Sequence, residues 1–281
     1  MPDAAAVRKI SPWIHERSWP QIEQFLKDGH DTVLIPIGAT EQHGKHMPLM
    51  VDTAWAIATC EATAALCDVL IAPPMHLGWS SHHMGYPGCV TLRPETLTQV
   101  AIDMGESLAY HGFKRIIFVN GNRIANLPPL DIAAAKLRGK TGAFIAVADV
   151  SQLAKEEFNE INESPPGGLG HAGESETALM LAYRPELVDM SQAVSATLPP
   201  RRWAPHVNSE TRVDGNRINI PHDVDTFTAS NKAMGGTMGD AKAATAEKGV
   251  AMIQALSLNL AEFVKEISTR PVTLKPLDIP L

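Results

Sequence analysis

Runs of apolar residues alternate with amphipathic stretches along most of this chain. Ser18-Trp19-Pro20 carries the signals of a helix start, an N-capping serine with proline in the first turn, and Gly29 stands past its end. TVLIPI (32–37) is a continuous, partly β-branched apolar run, as expected of a strand covered on both faces. A helical pattern at 52–67 follows, then a second strand at 69–75, an amphipathic helix at 95–113 that stops near Gly112, and a third strand at 114–121. A helix at 129–140, a fourth strand at 142–150, and helices at about 152–162, 174–185 and 239–267 complete the series. Strands each followed by a helix predict a mainly parallel sheet with helices on both faces, an α/β three-layer sandwich. The stretch from about 190 to 238 is rich in Pro, Asn, Ser and Gly, and reads as an irregular excursion of the same domain. We therefore expect one domain over 1–281.

This order places the polar motifs. GATEQHG follows the first strand, HLGWSSHHMGYPG the second and NGNRIAN the third. Ligands of open α/β sheets bind at the carboxyl ends of strands, so three loops bring polar residues to one edge.

Composition narrows the classes. The 281 residues are 44% hydrophobic and 20% charged, with a net charge of −7. That balance, with Arg201-Arg202 as the longest basic cluster, speaks against nucleic-acid and anionic-membrane partners. No apolar run reaches about 18 residues, so no membrane span is expected. The first residues lack the apolar core of a secretory signal. Three cysteines (Cys60, Cys67, Cys89) are an odd, sparse set that fits a reducing, cytoplasmic setting. Cys60 and Cys67 read as small core residues.

The candidate chemistry lies in the loops. Glu41 and His43, two apart in an extended segment, point to one side. With Asp52 they form a mixed nitrogen and oxygen set that suits Zn²⁺ or Mn²⁺. Asp52 equally reads as the N-cap of the following helix, and His46 as a loop histidine. Adjacent His82 and His83 diverge, so at most one faces a common site. His171 stands among glycines and alanine with little to pack against, a position for chemistry. Glu174 and Glu176 enter a helix, where acidic side chains are also expected for the dipole alone. NGNRIAN reads by default as a turn.

Taken together, IPIGATEQHGKHMPLMVDTAWA, HMGYPGCVTLRPETL, FVNGN, HAGESETALML and GDAKAATAEKGVAMI resemble the creatininase (creatinine amidohydrolase) family, in order from about residue 33 to 255. The resemblance implies a single creatininase-like domain, a binuclear divalent metal site (Zn or Mn), and a homo-oligomer, often a hexamer. It implies hydrolysis of C–N bonds in small, often cyclic amides, or, in one branch, cleavage of a keto-inositol ring. It maps metal ligands onto Glu41, His43, bridging Asp52 and Glu176, and the second-strand histidine onto His83, at the substrate. It maps the histidine of HAG onto His171, which we expect to shuttle the proton to the leaving nitrogen, with Glu174 orienting His171 or holding substrate.

One departure stands out. Most family members carry Asn-Gly-His after the third strand, where this chain has Asn122, and Arg123-Ile124-Ala125 replaces the usual Gly-Gly that follows. Three outcomes are open: Asn122 ligates and favours Mn²⁺, His82 substitutes, or one of two ions is missing. Arg123 adds a cation suited to an anionic or carbonyl-rich substrate. PPGGLG before His171 lacks the tryptophans of creatininase itself, which points away from creatinine. The reading is a hydrolase working through a metal-activated water. The rivals are a hydrolase of a C–C or lactone bond in a keto-sugar or keto-cyclitol, and an inactive binding protein.

Overall fold

The computed structural model describes residues 11–164, 170–196, 202–204, 207–208 and 223–278. Helix α1 (Trp19–Lys27) starts where Ser18 and Gln21 bond reciprocally across the first turn, and it ends ahead of Gly29, whose φ of 91° suits glycine alone. Strand β1 (Thr32–Ile37) leads to helix α2 (Val51–Ala64). Strand β2 (Leu70–Ile71) is followed by α3 (Pro94–Tyr110), β3 (Arg115–Asn120), α4 (Arg123–Thr141) and β4 (Phe144–Asp149). Then come α5 (Val150–Leu153), α6 (Lys155–Ile161) and α7 (Glu174–Tyr183). A small hairpin of β5 (Arg202–Ala204) and β6 (Val207–Asn208) precedes α8 (Val224–Ala233) and the long α9 (Ala246–Ser268).

The central sheet has the order β2-β1-β3-β4, and every pair is parallel. Alternate strand residues face two separate cores. Leu34, Ile71, Ile117 and Val119 pack with α2, α7 and α9 on one face. Val33, Ile35, Ile37, Leu70, Ile116 and Phe118 pack with α1, α3 and α4 on the other. These are the three layers that the alternation of apolar runs predicts. The pairing Ile37 to Asn120 to Asp149 brings the carboxyl ends of β1, β3 and β4 level.

Several boundaries differ from the sequence reading. The second strand keeps only two ladder residues, because the prolines at 73 and 74 carry no N–H for a ladder, although Met75 regains a bridge to Ile37. The fourth helix begins six residues early. Asn122 turns out of the strand as its N-cap, its side chain accepting from the Ala125 N–H, and Pro128 and Pro129 follow inside the helix. The turn expected at NGNRIAN is therefore a helix start. The helix expected at about 152–162 is split at Ala154, and the C-terminal helix starts at Ala246, where the Thr245 side chain caps it. The irregular excursion contains α8, a full helix among its described residues. The PPGG segment at 165–168 and the residues at 209–222 lie outside the described residues, as do the side chains of Arg123 and Arg201.

The α7 and α9 axes approach closely at Gly249. A Cβ there would fall 1.9 Å from the Ala178 carbonyl oxygen, on backbone that cannot swing aside. We expect Gly249→Ala to destabilise the fold by about 1–3 kcal/mol through overpacking, read as a lower midpoint in chemical denaturation. An unchanged midpoint would mean that the two helices can part at no cost.

Candidate metal centre

Three backbone features bring the polar residues together at the carboxyl edge. The β1 loop carries Glu41, Gln42 and His43, all buried. The first turn of α2 lies hard against that loop and the end of β3. A Cβ on Gly38 would sit 2.2 Å from the Thr53 nitrogen, and one on Gly121 would sit 1.9 Å from the Asp52 oxygen. Both positions need glycine, and their contact aims Asp52 inward. The segment before α7 turns at Ala172, a non-glycine residue at φ 55°, where L side chains carry a cost of about 1–2 kcal/mol. The Ala172 N–H donates to Glu176 Oε2 at 2.5 Å, and the His171 carbonyl accepts from the Met238 N–H at 2.7 Å, so the turn is held from both sides.

His43 sits at the centre. Its Nδ1 lies 3.1 Å from the carbonyl oxygen of Glu41. A carbonyl only accepts, so Nδ1 carries the proton and Nε2 the lone pair. Nε2 is buried without a hydrogen-bond partner, 3.2 Å from Asp52 Oδ1 and 3.6 Å from Glu176 Oε2. A lone pair cannot rest against two carboxylates, so a proton or a cation must lie there. His171 repeats the device: Nε2 donates to the Gln42 carbonyl at 2.6 Å, which leaves Nδ1 as the lone-pair atom, 3.9 Å from Glu41 Oε1. His83 places Nε2 3.3 Å from the same Glu41 oxygen. The rings of His43, His171 and His83 stand side by side, with centroids 4.3 and 4.7 Å apart in sequence.

The donor set fits a divalent ion. Three overlapping triads, Glu41–His43–Asp52, His43–His171–Glu176 and Glu41–His83–His171, each offer ligand atoms within 4.8 Å of one another. Two ligands about 2 Å from a tetrahedral ion stand about 3.3 Å apart, close to the separations of His43 from Asp52 and of His83 from Glu41. Pinning one imidazole nitrogen to a backbone carbonyl is also how metal-ligating histidines are oriented.

The electrostatics carry the same demand for positive charge. Burial, with Asp52 beside it, pushes the Glu41 carboxyl up to about 8. Burial alone would lower His43, but Asp52 and then Glu176 and Glu41 outweigh it and hold the imidazole up at about 10. Burial raises Glu176 as well. His171 is held well below the ordinary histidine value by burial, with the charge on His43 adding to it.

The remaining expected residues divide. Asp52 is not the N-cap of α2, since Met50 holds that position and the Asp52 carboxylate faces His43. Asn122 lies in the cluster with the amide nitrogen inward: Nδ2 donates to Glu41 Oε2 at 2.9 Å and to Asp52 Oδ2 at 3.0 Å. It is a donor to the carboxylates and not a ligand, the first of the three outcomes left open, because its oxygen is spent on capping α4. His82 turns its ring against His83 and Phe227 rather than into the triads. His46 is the loop histidine expected. It is buried, bonds Thr177 Oγ1 at 2.9 Å, and is held down at about 4 by burial and by His43.

Glu174 is a correction. Its carboxylate accepts from the Glu163 and Ser164 N–H groups and the Ser164 hydroxyl, and pairs with Lys248. All of its accepting capacity serves this loop, which ties the segment ahead of His171 to α9 and leaves none to orient His171 or hold substrate. Two positions apart on a helix, Glu174 and Glu176 cannot face the same way. Gln42 also lies in the cluster, donating to Asn231 Oδ1 at 3.0 Å, which accepts in turn from the Tyr86 hydroxyl at 2.6 Å, a neighbourhood the residue pattern does not predict. The Q beside H in EQHG was the one available signal for Gln42.

Comparison with known proteins gives matches over nearly the whole chain. A family model described as creatininase, creatinine amidohydrolase, matches residues 15–264. The creatinine amidohydrolase of Pseudomonas putida is 30% identical over 91% of this chain and 97% of its own length. A mycofactocin precursor peptide peptidase of Mycolicibacterium smegmatis is 31% identical over 70% of this chain and 76% of its own. A 3-dehydro-scyllo-inosose hydrolase of Thermotoga maritima is 27% identical over 94% and 86%. Among solved structures, a manganese form of creatininase superposes with a TM-score of 0.72 at 29% identity, covering 92% of this chain and all of that one. A point mutant of creatininase of Zn–Zn type gives the same TM-score and identity, covering 92% of this chain and 99% of its own.

Two predictions follow from the charges. His43 and Glu41 both stand higher when folded than the 6.5 and 4.5 of the free groups. Below 6.5 His46, held at about 4, and His171, held low, oppose this; above 6.5, where both are neutral folded and unfolded, the metal-free folded state binds more protons than the unfolded one and its stability falls as pH rises. That loss runs from 6.5 to about 8 through Glu41 and to about 10 through His43. A bound cation replaces those protons, so the gain in melting temperature on adding Mn²⁺ should grow with pH in calorimetry. A gain independent of pH would contradict this. Glu174→Gln should cost about 2 kcal/mol of stability by weakening a buried charged pair, with metal content unchanged by elemental analysis.

Proposed function

This chain belongs to the creatininase family and is a metal-dependent hydrolase using a divalent ion, Zn or Mn; from that premise we propose that it cleaves a C–N bond in a small, cyclic amide. The observation that carries the reading is the His43 Nε2 lone pair, buried and unpartnered between the carboxylates of Asp52 and Glu176. His43, Glu41, Asp52 and Glu176 would hold the ion. When bound, such an ion lowers the pKa of a coordinated water and polarises a carbonyl.

The chain's own residues supply the rest. His43 and Asp52 are closed to solvent, with side-chain exposures of 0% and 5%, while Glu176 and His171 keep 25% and 16%. Substrate therefore enters on the His171 and Glu176 side. His171 is neutral at physiological pH, and its tautomer is set by the Gln42 carbonyl, so Nδ1 is free to take a proton and return it to the leaving nitrogen. His83, buried and packed on Phe227 beside the His171 ring, would contact substrate there. Arg123, next to Asn122 in sequence, would add a cation for an anionic or carbonyl-rich substrate. The same reading makes the protein one catalytic domain in a cytoplasmic homo-oligomer, a hexamer by family resemblance, and sedimentation would measure its size.

A second reading has one observation in its favour, the likeness over 94% of the chain to an inosose hydrolase. There the bond would be a ring C–C or lactone bond of a keto-cyclitol, with the same residues in place. Assaying a panel of cyclic amides against keto-cyclitols separates the two, and turnover of cyclitols alone would overturn the amide reading. On the active substrate, His171→Ala should lower turnover by about 10²- to 10⁴-fold while metal content stays at the wild-type level. Full activity would remove the proton-transfer role.

A further inference from the structure

We propose that the Asn122 side-chain amide takes the place of one cation, so that this chain holds a single divalent ion beside His43 where its carboxylates would otherwise bind two. The inference rests on the reading that the cluster holds a divalent ion.

The two hydrogens on Asn122 Nδ2 are directed at two different carboxylates, Glu41 Oε2 at 2.9 Å and Asp52 Oδ2 at 3.0 Å. A cation bridging those oxygens would have to occupy the same place. The amide cannot turn over to offer its oxygen instead. Oδ1 accepts from the Ala125 N–H at 3.2 Å, and a backbone N–H only donates, so a flipped amide would set donor against donor and its oxygen against two carboxylates. The residue is also locked at its backbone. Asn120 Nδ2 donates to the Asn122 carbonyl at 2.7 Å, the Asn122 N–H donates to Asn120 Oδ1 at 3.2 Å, and Asn126 Nδ2 in turn holds Asn120 Oδ1 and the Gly38 carbonyl. A side chain so fixed cannot swing aside when an ion arrives.

The clamp divides each carboxylate. Glu41 gives Oε2 to Asn122 and keeps Oε1 toward His83, 3.3 Å away. Asp52 gives Oδ2 to Asn122 and keeps Oδ1 toward His43, 3.2 Å away. Two of the three triads contain His43, whose Nε2 is buried and unpartnered between two carboxylates, while the third, Glu41–His83–His171, offers a single carboxylate oxygen, Glu41 Oε1. The ion's place is therefore on the imidazole side of the carboxylates, and Asn122 supplies a neutral pair of donors on the other. An amide lowers the carboxylates' mutual repulsion without a charge and without an open coordination position. A single ion would then have to serve both the water and the substrate carbonyl.

The test is stoichiometry and spectroscopy on the full chain, stripped with chelator and reloaded with Mn²⁺. We expect about one ion per chain by elemental analysis, one step in titration calorimetry, and a Mn²⁺ electron paramagnetic resonance spectrum free of exchange coupling. Asn122→His and Asn122→Asp replace the donor with a ligand and should raise the count to about two, with a coupled spectrum. Two coupled ions in the wild-type protein would overturn the inference and leave the hydrolase reading intact. No bound ion would overturn both. A folded Asn122→His protein that stays at one ion would show that Asn122 is not what excludes the second. Should neither variant fold, the wild-type count and spectrum still decide.

Discussion

The mutual repulsion of Glu41, Asp52 and Glu176 around one buried imidazole is the constraint on which the rest of this structure depends. Like charges in a water-poor pocket cannot all stay ionised unless a cation or strong donors compensate them. The protein meets that demand in three ways. His43 sits among the carboxylates with its lone-pair nitrogen inward, Asn122 bridges two of them with its amide hydrogens, and the Ala172 N–H caps the third. What these leave over is a demand for positive charge, and a divalent ion supplies it. A site held in this way is costly when empty and stable when filled, so binding and folding share one free energy.

The scaffold converts that demand into fixed positions. Parallel pairing brings the ends of β1 and β3 level, so the loops carrying Glu41 and Asn122 leave the sheet together. Gly38 and Gly121 let the start of α2 press onto both strand ends, which no side chain would allow. Backbone carbonyls then choose the histidine tautomers: Glu41 for His43 and Gln42 for His171. These are adjacent residues of the same loop, so one short segment orients two rings and contributes a carboxylate between them. The turn at Ala172 is tolerated because Glu176 and Met238 hold it on either side.

Exposure and charge divide the labour within the cluster. His43, Asp52 and Asn122 lie on the closed side, and His171 and Glu176 on the open side, which in the proposed reading faces the substrate's approach. Glu174 belongs to neither. Its pairing with Lys248 joins α7 to α9 and to the segment before His171, so it supports the position of the histidine through backbone and not through contact.

Much of this was legible in the chain itself. The layers, the order of strands and helices, and the carboxyl-edge location of Glu41 and His43 follow from apolar runs, caps and spacing, because those properties are local, whereas His171 and Glu176 joined them only through the family resemblance. β1 matched its apolar run residue for residue, since nothing else can bury six such positions on both faces. The failures share one cause. Asn122 reads as a turn residue until Ala125 and two distant carboxylates claim its two ends. Glu174 and Glu176 look equivalent until Lys248, far along the chain, takes one of them. The helix α8 has too weak a periodicity to show before Phe227 meets His82 and His83. The sequence by itself determined which ligand types are present and at which sheet edge they gather. Only the tertiary structure decided which atom of each side chain faces inward, because that choice belongs to hydrogen-bond partners brought together from remote parts of the chain.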